Sequence, residues 1–339
     1  MDKKIQYSHY KIPFKSKLEN SNYIYNFQDY IFIKIISNTN QQILEVSPLL
    51  KFSNEKIETI IETFKNIDHI YKNEFPSLDY AISQINQKNP KIKNIKTVML
   101  IGNCNNLEKK INGYIKFGYK SFKIKFSKND FHNKYKVLDK YYNIYKIRAD
   151  FNNEFSFIEA QKFLDQNKKI KFEFIEGLLK SNEINNYLKI KKYNQKISID
   201  ITNNNFNEIQ EVIKNKCVDY VAIKPKLLGS YKKTIELINM LYKANIKSYI
   251  SSSFETQIGF YKTITLAKYI DELYKEKIFH GLSTSKYLNN KINNGILFNE
   301  EKVSCEYKKL NFDELKSYQM TPWKNIQNKS LIEIIKNEK

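Results

Sequence analysis

From Thr97 onward the chain alternates between short apolar runs and longer amphipathic segments. The runs are Thr97–Gly102, Ser121–Phe126, Lys146–Phe151, Ile170–Gly177, Lys196–Thr202, Tyr220–Pro225, Lys247–Phe254 and Phe279–Thr284. Their length and content predict strands. The segments between them can hold helices. Asn205–Cys217 and Tyr231–Ala244 are examples, the second with Ile235, Ile238, Leu241 and Tyr242 on one face. Eight strands alternating with helices over about 200 residues predict a β/α barrel. The competing arrangement is an open doubly wound sheet, but no glycine-rich phosphate loop follows any of the runs.

Residues 1–95 have a different rhythm and contain no glycine. Tyr23–Ile36 predicts two short strands. Phe52–Tyr71 predicts an amphipathic helix with Ile57, Ile60, Ile61, Phe64 and Ile67 as its apolar stripe. A second helix is expected between Phe75-Pro76-Ser77 and Asn89-Pro90. Residues 300–339 are polar and charged and end in a predicted short helix, Ser330–Lys336. The expected organisation is a small α+β unit over 1–95, completed by the segment 300–339, and a barrel over 96–299.

Composition narrows the class. In 339 residues, 41% hydrophobic and 14% aromatic content mark a globular chain with a large core. A net charge of +21 points at first to nucleic acid or an anionic membrane. The lysines are scattered rather than blocked, however, and arginine-rich or aromatic RNA motifs are absent, so no nucleic-acid partner is expected. No run approaches the about eighteen apolar residues of a membrane span, so no insertion is expected. Cys104, Cys217 and Cys305 stand far apart without a Cys-x-x-Cys pair, and the N-terminus has no apolar signal core. Both features predict a reducing, cytoplasmic setting. His9, His69, His132 and His280 show no ligand spacing, and nothing in the pattern fixes an oligomeric state.

A β/α barrel carries its chemistry at the C-terminal ends of its strands. There the chain places Lys123 and Lys125 on the second strand, Asp150 with Asn152 on the third, Glu176 on the fourth and Asp200 on the fifth. Lys224 follows on the sixth, and Ser251-Ser252-Ser253-Phe254-Glu255 on the seventh. Three carboxylates on neighbouring strands form an all-oxygen site suited to Mg²⁺, with Mn²⁺ as the other candidate. Lysines on both sides of such an ion suit proton removal next to a substrate carboxylate, because a nearby cation lowers a lysine pKa toward the working pH. The small-molecule partner is thus expected to be a carboxylate. The chain also has a single arginine, Arg148, aligned with Asp150 and Asn152 on one face of its strand. Its planar fork suggests a geometric need that lysine does not meet; the plain alternative is a surface strand with a solvated polar face.

The order Lys-x-Lys, Asp, Glu, Asp, Lys on successive strands resembles the enolase superfamily, and within it the o-succinylbenzoate synthase family of the muconate-lactonizing-enzyme-like branch. Lysine bases with Mg²⁺ are characteristic of that superfamily. Gly118–Lys125 looks like its base strand, Arg148-Ala149-Asp150-Phe151-Asn152 like its Arg-x-Asp-x-Asn motif, and Ile175-Glu176 like its second metal strand. Ile223-Lys224-Pro225-Lys226-Leu227-Leu228-Gly229-Ser230, and Ser251–Glu255 followed by Gly259, resemble its more specific signatures. Glu45-Val46-Ser47-Pro48-Leu49 and Phe75-Pro76-Ser77 resemble its capping domain.

The resemblance implies an α/β fold, a (β/α) barrel of the enolase-superfamily type with an N-terminal α+β capping domain. It implies a lyase that dehydrates 2-succinyl-6-hydroxy-2,4-cyclohexadiene-1-carboxylate in menaquinone synthesis. Lys125 would be the base, Lys224 the opposing ammonium, and Asp150, Glu176 and Asp200 the ligands of a Mg²⁺ that stabilises an enediolate. Lys123, Arg148, Asn152, Ser251, Ser253 and Glu255 would support the site or the substrate. An N-acyl-amino-acid racemase or dipeptide epimerase of the same superfamily is the alternative. Epimerases tend to carry Asp-x-Asp at the eighth strand, where His280-Gly281-Leu282-Ser283-Thr284 has none. A basic binding protein on an inactive barrel is the alternative of another class.

Overall fold

The computed structural model describes residues 3–338 apart from 20–23, 39, 50–51, 88–89, 103, 105, 128–130 and 202. Tyr23, Asn89 and Thr202, which bound three of the predicted elements, lie outside the described residues.

The first three strands, β1 (Lys4–Glu19), β2 (Ile24–Ile36) and β3 (Gln41–Val46), form an antiparallel sheet. Alternate residues of β2 serve two different cores, as strand geometry requires. Ile31 and Ile33 pack with helix α1 (Ile57–Lys65) and helix α2 (Pro76–Ile82). Tyr30 and Phe32 face the other way, into a cluster with Leu227, Phe254 and Ile258. One sheet therefore packs on its own helices and on the body behind it. The predicted stripe of α1 is buried at Ile57, Ile60 and Phe64, but the helix stops at Lys65 and leaves Ile67 exposed. Where two short strands were predicted, β2 is one long strand, and β1 was not predicted at all.

After β4 (Ile92–Lys96) comes a parallel sheet of β5 (Met99–Ile101), β6 (Ser121–Lys125), β7 (Lys146–Asp150), β8 (Phe174–Glu176), β9 (Ile197–Ile201), β10 (Tyr220–Ile223) and β11 (Lys247–Ile250). Neighbours in sequence are neighbours in the sheet. Between these strands run α3 (Leu107–Lys116), α4 (Phe131–Leu138), α5 (Phe157–Gln166), α6 (Ile184–Ile190), α7 (Ile209–Asn215), α8 (Pro225–Leu228) and α9 (Tyr231–Lys243). Helix α10 (Gln257–Tyr274) follows β11. The buried face of α9 is Thr234, Leu237, Ile238 and Leu241, while Tyr242 is exposed, one position round from the predicted stripe.

The predicted eighth strand is reduced to two residues. His280 bridges Thr97 and Gly281 bridges Ser251, both in parallel sense, so this short segment joins the two edges of the seven-stranded sheet. His280 is fully buried: its Nδ1 accepts from Ile250 N–H at 3.0 Å, and its Nε2 lies 3.3 Å from Asp271 Oδ1. The chain closes with β12 (Ile296–Asn299) and β13 (Lys302–Cys305), which pair with β4, then β14 (Lys324–Asn325), which pairs with β1. Last is α11 (Lys329–Asn337), whose Leu331 and Ile335 enter the core beneath the first sheet.

Candidate active site

Period-two alternation decides which side chains meet inside a barrel, and register decides at what height. Lys125 lies opposite Asp150, and Asp150 opposite Glu176. Asp200 lies opposite Ala222, and Lys224 follows two residues further on, just past the end of β10. The strand ends thus bring together all five residues expected as base, opposing ammonium and metal ligands. Arg148 and Phe174 lie opposite each other one layer deeper, and Tyr249 lies opposite Ala222.

The charged groups are closely interlocked. Lys123 Nζ donates to Glu176 Oε1 at 2.5 Å and lies 3.2 Å from Asp150 Oδ2. Lys125 Nζ donates to Asn152 Oδ1 at 2.8 Å and lies 3.3 Å from the same Asp150 oxygen. Lys224 Nζ donates to Asp200 Oδ2 at 2.5 Å and sits 5.1 Å from the centre of the Phe52 ring. Asn152 has a left-handed backbone, φ 51°, and its N–H turns back to Asp150 Oδ1 at 3.1 Å. Asparagine tolerates that conformation better than most residues.

Burial would raise the Asp150 carboxyl, but Lys123, Lys125 and Lys224 outweigh it and hold the group below its ordinary value. Asp200 is likewise held low, because Lys224 and Lys123 overcome its burial. Burial and the neighbouring Asp200 instead push Glu176 up to about 7, against the pull of Lys123. The Lys123 ammonium is raised: burial works against it, and Asp150, Glu176 and Asp200 prevail.

A pocket opens over this cluster. Its floor includes Lys125, Asp150, Asn152 and Lys224, and one wall is the hydroxyl-rich run Ser251-Ser252-Ser253. Ser252 Oγ and Thr284 Oγ1 are 2.6 Å apart, and Leu49 and Phe52 close the rim from the first unit. Glu255 was expected at this site, but it supports the wall from behind: it is buried and its Oε2 accepts from Ser253 N–H at 2.7 Å.

Arg148 does not line the pocket. It is 1% exposed, so the reading of its strand as a solvated surface strand fails. Its guanidinium carbon lies 4.5 Å from the Phe174 ring centre and 5.0 Å from that of Tyr249, and its Nε donates to Glu173 Oε2 at 2.7 Å. A flat cation fits between two rings where a tetrahedral ammonium does not. The geometric need is therefore one layer below the carboxylates.

Tyr249 is a site residue that sequence reasoning missed. Its hydroxyl donates to Glu176 Oε2 in a very short hydrogen bond and lies 3.3 Å from Ser198 Oγ. The one available signal was its inward position on β11, two residues before Ser251.

The donor set fits a hard divalent cation: two buried carboxylates and a half-buried one, oxygen only, on adjacent strand ends. Among the described residues no three acidic, His or Cys side chains are gathered round one point. The carboxylates are instead turned toward Lys123, Lys125 and Lys224. A set like this can bind a carboxylate substrate and exchange a proton beside it.

Among the described residues no helix is long and apolar enough to cross a membrane. No curated protein is detectably similar to the chain in sequence. Solved structures share its fold along most of its length. The N-succinyl Arg/Lys racemase from Bacillus cereus aligns with 96% of this chain and 100% of its own, at 16% identity and a TM-score of 0.76. The dipeptide epimerase from Enterococcus faecalis, complexed with Mg and a dipeptide, aligns over 91% and 97%, at 17% identity and a TM-score of 0.74. The o-succinylbenzoate synthase from Thermosynechococcus elongatus, with Mg in its active site, aligns over 84% and 94%, at 15% identity and a TM-score of 0.69. The family described as Enolase C-terminal domain-like matches residues 106–299, more than half of the sequence. With this family match and this fold, the chain belongs to the enolase superfamily.

Proposed function

We propose that this protein dehydrates 2-succinyl-6-hydroxy-2,4-cyclohexadiene-1-carboxylate to o-succinylbenzoate, in menaquinone synthesis, and that Asp150, Glu176 and Asp200 hold Mg²⁺ for it, with Mn²⁺ as a possible substitute. Lys125 takes the proton next to the ring carboxylate. The ring carbon–oxygen bond then breaks, the electron pair of the lost C–H bond completes the aromatic ring, and proton and hydroxide leave as water. Lys224 stays protonated on the Asp200 side and steadies the negative charge from there. Ser251 donates to a substrate carboxylate. A bound Mg²⁺ supplies Lewis-acid stabilisation of the charge that develops on the ring carboxylate. Residues 1–95 with 300–339 act as the cap, and 96–299 as the barrel.

The observation that carries this reading is the wall at the short eighth strand. It offers Gly281, Ser283 and Thr284, next to the serines of 251–253, and no acid. Hydroxyl donors suit a second carboxylate on the substrate; an α-ammonium group would find no counter-charge there. Charge agrees in sign: with Lys125 neutral as the base, the Lys123 and Lys224 ammoniums and a dication exceed the three site carboxylates, so the site favours an anionic substrate.

The second reading is a racemase or epimerase, and one feature favours it: Lys125 and Lys224 both border the same pocket, as two-sided proton transfer needs. Incubation in D₂O with Mg²⁺ separates the two. The cyclohexadiene should give the aromatic ultraviolet spectrum of the product, while N-succinyl amino acids and dipeptides gain no deuterium at the α-carbon. Deuterium uptake without dehydration would replace the first reading by the second.

A further inference from the structure

A fourth lysine stands two residues beyond Lys224, and no step above uses it. Lys226, on α8, is 2% exposed. Its Nζ donates to the Ser253 carbonyl at 2.5 Å and to Ser47 Oγ at 3.1 Å. Ser47 lies just past β3 and in turn donates to Glu45 Oε1 at 2.7 Å. The other oxygen of Glu45 accepts from Thr256 N–H at 3.0 Å, Thr256 Oγ1 at 2.5 Å and Gly259 N–H at 3.1 Å, at the start of α10. Ser253 is therefore gripped on both sides, its N–H by Glu255 and its carbonyl by Lys226.

Burial lowers the Lys226 ammonium pKa, and Glu255, Glu45 and Glu55 pull it back up. An apolar side chain would fill the same space at lower cost, because a buried ionic cluster is seldom the most stable packing. What the cluster adds is geometry. It ties together three segments that border one pocket: the end of β10 with Lys224, the serine wall after β11, and the strand β3 that leads to Leu49 and Phe52.

We propose that Lys226 is a positioning residue, one that fixes the serine wall and the cap rim relative to Lys224 and so sets how the substrate is held. The inference rests on the pocket being the reaction site proposed above. It is not a group that touches the reacting atoms, so its loss should weaken substrate binding and leave the chemical step alone.

The test uses the full chain with Mg²⁺ and two variants, Lys226→Met and Ser47→Ala. The second removes one hydroxyl only and is the safeguard should the first not fold. Hydrogen exchange over residues 251–260 should speed up by about tenfold at the Ser253, Thr256 and Gly259 amides, with α9 unchanged. With the cyclohexadiene, KM should rise by about fivefold or more while kcat stays within about twofold. Unchanged protection would overturn the proposal, as would a fall in kcat at constant KM. Should wild type not turn the cyclohexadiene over, the proposed function fails, and exchange alone decides the tie: faster exchange supports it, unchanged exchange overturns it.

Discussion

Arg148 shows how much one side chain can say. It is the chain's one arginine, and it holds two hydrogen bonds to Glu173 between two aromatic rings. Arg148→Lys should cost about 1–3 kcal/mol in chemical denaturation, since a lysine loses the fork and the stacking together. Arg148→Met leaves a largely buried glutamate without its cation and should cost about 2–4 kcal/mol at neutral pH. Burial raises the Glu173 carboxyl, but Arg148 more than offsets this, so its folded pKa lies below the unfolded one. The stabilisation is then complete above the unfolded value and lost as pH falls through the folded one. The gap between wild type and Arg148→Met should narrow below about pH 4, and a gap independent of pH would contradict this pairing.

At the level of elements, the site was legible because a barrel mouth is polar inside. Lys125, Asp150, Glu176, Asp200 and Lys224 break into apolar runs at the C-terminal ends of successive strands, and no core packing accounts for such a series. Glu255 and Arg148, expected as supporting residues, lie behind the wall and one layer below the carboxylates, a depth that sequence does not give because it fixes only the face of a strand. Strand β1 escaped because its alternation changes phase at Ser8-His9: Ile5 and Tyr7 point into one core, and Tyr10, Ile12 and Phe14 into another on the opposite face. Helix ends were blurred by lysine and asparagine, which continue an amphipathic pattern past the point where packing stops. The joint between the first sheet and α10 is also written in one residue. A Cβ on Gly259 would stand 2.9 Å from Glu45 Oε1 and 3.0 Å from Glu255 Cβ. Gly259→Ala should therefore lower stability by about 1–3 kcal/mol, although alanine is the better helix former. A neutral or stabilising effect in denaturant titration would show that the joint is looser than described.

For the whole molecule, the basic surface and the acidic centre answer to different forces. The net charge of +21 is spread over the lysines of the exterior, whereas the pocket balances three lysines against three carboxylates. A divalent ion should therefore bind at the centre and stabilise the fold without catalysis being involved. Mg²⁺ at about a hundredfold excess over its Kd should add about 2.7 kcal/mol, or about 4 °C in Tm for a chain of this size. Asp150→Asn should abolish that shift. A shift of equal size in the variant would move the ion away from these carboxylates.

The central claim is that Lys125 removes a proton beside a carboxylate held at this centre. The most direct measurement is ultraviolet-monitored conversion of the cyclohexadiene substrate by wild type and Lys125→Ala, each with Mg²⁺ and with chelator. Chelator should remove turnover, and the substitution should lower it by about 10³-fold or more. Turnover by Lys125→Ala close to that of wild type, or none by folded, Mg²⁺-supplied wild type, would contradict the claim.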